Sequence, residues 1–118
     1  MSEAFKLDQQ RTFRRKVTFN IPADTGGYQQ FCVDVEYKSR SKSQLLDMQQ
    51  QDDADALREV IAGITGVESA DGALSPRDAI EPMLEVPAFV YEAAMTFYDA
   101  MSGGNLRRTT PGRRRATG

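Results

Sequence analysis

Asp52, Asp53, Asp55 and Glu59 form the densest group of side chains in this chain that could hold a cation or move a proton. Asp55 and Glu59 stand four apart, which puts both carboxylates on one face if the segment is helical. A calcium loop would need alternating oxygen ligands, a glycine and a closing glutamate at fixed spacing, and that pattern is missing. The acids suit instead the first turn of a helix, where negative charge complements the exposed N–H groups. The chain contains no histidine, and Cys32 is its sole cysteine, so neither a Cys/His dyad nor a zinc site can be built within it. Cys32 lies in an alternating apolar pattern and reads as an ordinary free thiol of a reducing compartment. Gly63 and Gly66 have the look of a phosphate-cradling pair, but they follow an apolar run instead of opening a helix, and no P-loop lysine comes after them. They read as helix punctuation. The expectation is a non-enzyme with no cofactor and no metal.

Charge is the other chemistry available. The net charge of −2 conceals a polarity: residues 1–46 carry a balance of +3, residues 47–104 one of −10, and residues 105–118 five arginines and no acid. Such a distribution suits charged partners or copies of the same chain. Arg14-Arg15-Lys16 and the tail arginines Arg107, Arg108, Arg113, Arg114 and Arg115 are the basic clusters. A flexible arginine arm can hold phosphates without sequence preference. No helix-turn-helix or aromatic-interleaved basic face accompanies it, so contact with a protein is expected ahead of contact with nucleic acid.

The elements that position these groups follow from periodicity. Apolar residues alternate at Phe13, Val17, Phe19 and Ile21, and again at Phe31, Val33, Val35 and Tyr37, around the turn-forming residues 22–27. This predicts a β-hairpin with one buried and one wet face. Two strands are marginal alone, so helix packing or a second subunit must complete the sheet. Residues 41–51 are polar and helix-prone. Asp52 or Asp53 then caps an amphipathic helix whose inner positions are Leu57, Val60, Ile61 and Ile64, closed by Gly63 and Gly66. A tight turn falls at Asp71-Gly72. Ser75 caps a further helix with Pro76 at its first position and Asp78 at its third, and Pro82 kinks or splits it. Pro87 opens the last helix, with Phe89, Val90, Ala93, Ala94, Phe97 and Met101 as a wide apolar stripe ended by Gly103-Gly104.

The 118 residues are expected to form a flexible leader (1–12), a single α+β domain (13–104) and a disordered Arg-rich tail (105–118). The fold class is α+β: an N-terminal antiparallel β-hairpin followed by three to four helices packed on one face. The expected core is Phe19, Phe31, Val33, Val35, Leu57, Val60, Ile61, Leu84, Phe89, Val90, Ala93 and Phe97. Tyr91, Met95, Tyr98 and Met101 flank the last helix and are the candidate partner-binding residues, with the tail arginines named above. No apolar run approaches the roughly 20 residues that span a bilayer, and the N-terminus has no apolar signal region.

From about Val17 to Arg108 the order of segments resembles the tail assembly chaperones of long-tailed double-stranded DNA bacteriophages. The residues concerned are Phe19-Asn20-Ile21-Pro22, Phe31-Cys32-Val33, the run Leu57-Arg58-Glu59-Val60-Ile61-Ala62-Gly63-Ile64-Thr65-Gly66-Val67, Asp71-Gly72, Leu74-Ser75-Pro76 and Met83-Leu84-Glu85-Val86-Pro87. An aromatic-rich helix and a basic tail complete the order. In the family the central run often enters a Gly-Trp-x-Gly-Val turn; here Ile64 stands where the aromatic is usual. The resemblance implies a non-catalytic protein of the host cytoplasm that coats the tape measure protein, is displaced as tail tube protein polymerises, and is absent from the mature virion. It also implies self-association into a homo-oligomer, and a longer form made by frameshifting near the end of a short one. Two other roles fit the residues: a structural tail or head–tail connector protein, and a small nucleic-acid-binding regulator acting through the arginine tail.

Overall fold

The computed structural model describes residues 4–5 and 10–103. The expected tail, with its five arginines, and most of the expected leader lie outside the described residues.

β1 (Thr12–Pro22) and β2 (Tyr28–Lys38) form the hairpin the alternation predicts, paired in unbroken register from Thr12 opposite Lys38 to Pro22 opposite Tyr28. Residues 23–27 turn the chain, with Gly26 and Gly27 at positive φ, where side chains are disfavoured. The leader contributes more than expected, because Gln10 and Arg11 bond to Ser39 across the base of the hairpin. Val17, Phe19, Val33, Val35 and Tyr37 point to the core. The even-numbered residues face water, and Lys16 meets Asp34 across the strands at 3.1 Å.

α1 (Lys42–Gln49) starts from a reciprocal cap: Ser41 Oγ accepts from the Gln44 N–H, and Gln44 Oε1 accepts from the Ser41 N–H. α2 (Asp53–Val60) is capped by Asp52, whose side chain accepts from the Ala54 N–H at 3.1 Å. Here the expected helix through Ile64 is corrected. α2 ends at Val60, and β3 (Ile61–Thr65) follows without a loop. β3 pairs antiparallel with β2, Val35 opposite Ile64, so the chain supplies its own third strand. The physical reason is composition: Ile61, Ile64 and Thr65 are β-branched, and Gly63 is a poor helix residue. The register shifts between Glu36 and Tyr37, with Ala62 as the extra residue, and this bulge keeps both Ile61 and Ile64 pointing inward. Gly63 is needed for space, since a Cβ there would stand 2.9 Å from Pro76 Cβ. Gly66, at φ 102°, then turns the chain off the sheet.

β4 (Glu68–Ser69) and β5 (Gly72–Ala73) make a small hairpin at the expected turn. The helix expected from Ser75 is shorter than predicted. Ser75 Oγ does accept from the Asp78 N–H, but residues 76–79 form only a turn, and α3 is Ile80–Leu84. Pro82 has no N–H to give Asp78, which is the reason for the split. α4 (Pro87–Met101) has Pro87 in its first turn as expected. It packs on β1, and α2 and α3 pack on it.

Ten of the twelve expected core residues are buried; the exceptions are Phe31, 41% exposed, and Val90, partly buried. The alternation does turn Phe31 inward, where its ring stacks on Phe19 at 6.0 Å, but the helices stop short of it. The aromatic centre of the core is Phe97, with ring centroids 5.4 Å from Tyr37, 5.4 Å from Tyr98 and 6.2 Å from Phe13. Tyr37 is fully buried and its hydroxyl donates to the Ala93 carbonyl at 2.9 Å. Burial pushes its ionisation well above the usual phenol range. The folded form therefore holds the Tyr37 proton more tightly than the unfolded chain does. That stability is fully present below about pH 10, the unfolded value, and is lost as pH rises beyond it. Tyr37→Phe is expected to cost about 0.5–1.5 kcal/mol at neutral pH and to show a shallower alkaline fall in thermal midpoint than the native chain.

Candidate protein-interaction site

Two of the four acids that suggested chemistry have structural partners. Asp52 caps α2, and Arg58 bridges Asp55 at 2.7 Å and Glu81 at 2.8 Å, linking α2 to α3. The guanidinium holds the Glu81 carboxyl below its ordinary range. Among the described residues, no three His, Cys, Asp or Glu side chains are placed to hold a metal ion. Cys32 is exposed on the wet face of the sheet, opposite Thr18. In the basic cluster, Lys16 is paired with Asp34, and Arg15 donates to the Arg14 carbonyl at 2.8 Å while lying over the Phe13 ring.

Three of the four residues chosen from α4 converge. Phe89, Ala93, Ala94 and Phe97 bury one side of the helix, which rolls Met95, Tyr98 and Met101 to the neighbouring flank. There they line a groove of about 320 Å³, closed on its far side by Leu45 and Gln49 of α1 and at its end by Ser102. The reciprocal Ser41–Gln44 cap starts α1, and buried Met48 seats that helix on the core. Tyr98 is the most firmly placed member, because its ring meets Phe97 edge-on. The residue is partly buried, and burial followed by the Asp53 carboxylate raises its ionisation above the ordinary value. The phenol is thus neutral at physiological pH, with an acid nearby. Tyr91 falls on the same stripe two turns earlier, but it is 60% exposed and outside the groove. Arg107, Arg108, Arg113, Arg114 and Arg115 lie outside the described residues.

Leu45 and Gln49 were not among the candidates. The Ser41…Gln44 cap marks where α1 starts, but no apolar stripe marks which side of that polar helix turns inward.

A second apolar cavity, of about 370 Å³, opens where the hairpin outruns the helices, between Phe31, Ile21, Val67 and Met83. The site thus consists of apolar surface beside acidic side chains. That arrangement can bind an amphipathic protein segment. Comparison of the chain with protein-family models, with curated proteins and with solved structures finds no match in any of the three. No helix among the described residues is long and apolar enough to cross a membrane.

Proposed function

We propose that this chain is a non-catalytic chaperone of phage tail assembly that holds the tape measure protein until tail tube protein polymerises around it. The observation that carries the reading is the groove between α1 and α4, where Met95, Tyr98 and Met101 meet Leu45 beside the Asp53 carboxylate. Methionine adapts its shape to varied apolar partners. Tyrosine adds a rigid anchor with a polar tip. A long amphipathic helix with basic flanks is the client such a groove accommodates, with apolar burial giving affinity and charge steering the approach. On this reading the protein works in the host cytoplasm, leaves the assembly as the tube grows and does not enter the mature virion.

Co-expression with the tape measure protein of the same tail gene cluster tests the proposal. The native chain should keep that protein soluble and co-purify with it. Tyr98→Ala combined with Met101→Ala should weaken capture about tenfold or more, since truncating an interface anchor commonly costs over 1 kcal/mol, while the fold remains cooperative. If the tape measure protein is equally soluble without this chain and the two do not co-purify, the reading fails.

A further inference from the structure

Among the described residues the hairpin leaves two strand edges unpaired, and they differ in chemistry. The Ser39 N–H donates to the Arg11 carbonyl at one end of the ladder, and the Ala23 N–H to the Gly27 carbonyl at the other. In unbroken antiparallel register the narrow pairs between these ends are therefore the odd-numbered ones. The even-numbered residues of β2 turn their N–H and C=O groups away from β1. Asp34 and Glu36 meet β3 at Thr65 and Gly63. Tyr28, Gln30 and Cys32 lie beyond the end of β3, and no described strand pairs with their outer edge.

An exposed, uncharged strand edge is a ready template for another strand. Residues 28–33 carry no charge in a chain that is 27% charged. The outer edge of β1 is guarded: it bears Arg14, Arg15 and Lys16, and the Arg14 carbonyl already accepts from Arg15. Beside the β2 edge, Phe31 stands 41% exposed over the open apolar cavity.

We propose that the β2 edge at residues 28–32 is a homodimer contact, in which two copies pair antiparallel about a two-fold axis at Gln30. The proposal stands independently of the client reading. Even-numbered residues then face one another as hydrogen-bonded pairs: Tyr28 against the partner's Cys32, and Gln30 against the partner's Gln30. Phe31 lies across from the partner's Gln29, whose stem covers the exposed ring. Val33 meets the partner's Gly27, which has no side chain to collide with the chain at Gly66. Charge selects a second copy as the occupant, because this register opposes no like charges, whereas self-pairing along β1 would gather two basic triplets on one seam. A five-residue strand contact falls short of the roughly 1,200 Å² of standard interfaces, so the dimer is weak and concentration-dependent.

Sedimentation and cysteine cross-linking of the purified chain test this. The native chain should pass from monomer to dimer with rising concentration. Gln30→Lys places two ammonium groups at the axis and should hold it monomeric, with its melting curve kept because the Gln30 side chain lies on the wet face. Mixing the Gln30→Lys and Gln30→Glu variants should restore dimer that high salt weakens. In a Cys32→Ser background, Gln30→Cys should cross-link rapidly, since Cα atoms of a hydrogen-bonded pair lie about 5.5 Å apart, within disulfide reach. Asn20→Cys, on the guarded edge, should cross-link at least tenfold more slowly. A native chain that stays monomeric overturns the proposal, as it would if the edge served a strand of another protein. So does cross-linking at Asn20 as fast as at Gln30, or a dimer indifferent to the Gln30 charge.

Discussion

Phe97→Ala should lower stability by about 3–5 kcal/mol, the range for emptying a buried phenylalanine site. The ring is 1% exposed and is shared by Phe13, Tyr37 and Tyr98, which come from β1, β2 and α4. Its loss therefore leaves a cavity bordered by aromatic rings that cannot all collapse inward. Domains of this size are stable by roughly 5–15 kcal/mol, so the change removes a large share of the total. A fall of roughly 10–20 °C in the thermal midpoint is expected, at about 4 °C per kcal/mol. The same variant should loosen the α1–α4 groove, because Tyr98 leans on Phe97. An unchanged midpoint would mean that the inward face of α4 is assigned wrongly.

Gly63→Ala distinguishes the strand from the helix that periodicity suggested, and the two readings give opposite signs. In a helix, replacing glycine by alanine gains about 0.5–1 kcal/mol. In β3 the added Cβ would stand 2.9 Å from Pro76 Cβ, beside the bond from the Ile64 N–H to the Pro76 carbonyl. Overpacking of that kind costs about 1–3 kcal/mol. Chemical denaturation of the variant should therefore show a loss. A gain would remove the third strand.

The difference between those readings shows where the sequence was legible. Leu57, Val60, Ile61 and Ile64 do satisfy helical spacing, yet the first two belong to α2 and the last two to β3. The coincidence arises because a helix handing over directly to a strand can keep its apolar residues on the core side through the junction. The clue lay in residue type, with β-branched side chains surrounding a glycine. The hairpin was plain because period two persists through Tyr37. Phe31 shows the limit of that signal: alternation tells which face a side chain takes, and only the lengths of the covering helices decide whether that face is dry. Half of the groove was readable, since Met95, Tyr98 and Met101 follow from their spacing on one helix. Leu45 and Gln49 were not, because a mostly polar helix has no apolar stripe to show which of its sides is turned inward.

The position of α4 at the end of the described fold has a consequence for the order in which the protein is made. Domains are synthesised from the N-terminus at about 5–20 residues per second. The three strands are complete by Thr65, while the helix that covers Val17, Phe19 and Tyr37 begins only at Pro87. During the interval the nascent chain carries a finished sheet with an uncovered apolar face. Translation pausing across that stretch would prolong the exposure, and the arrival of α4 ends it.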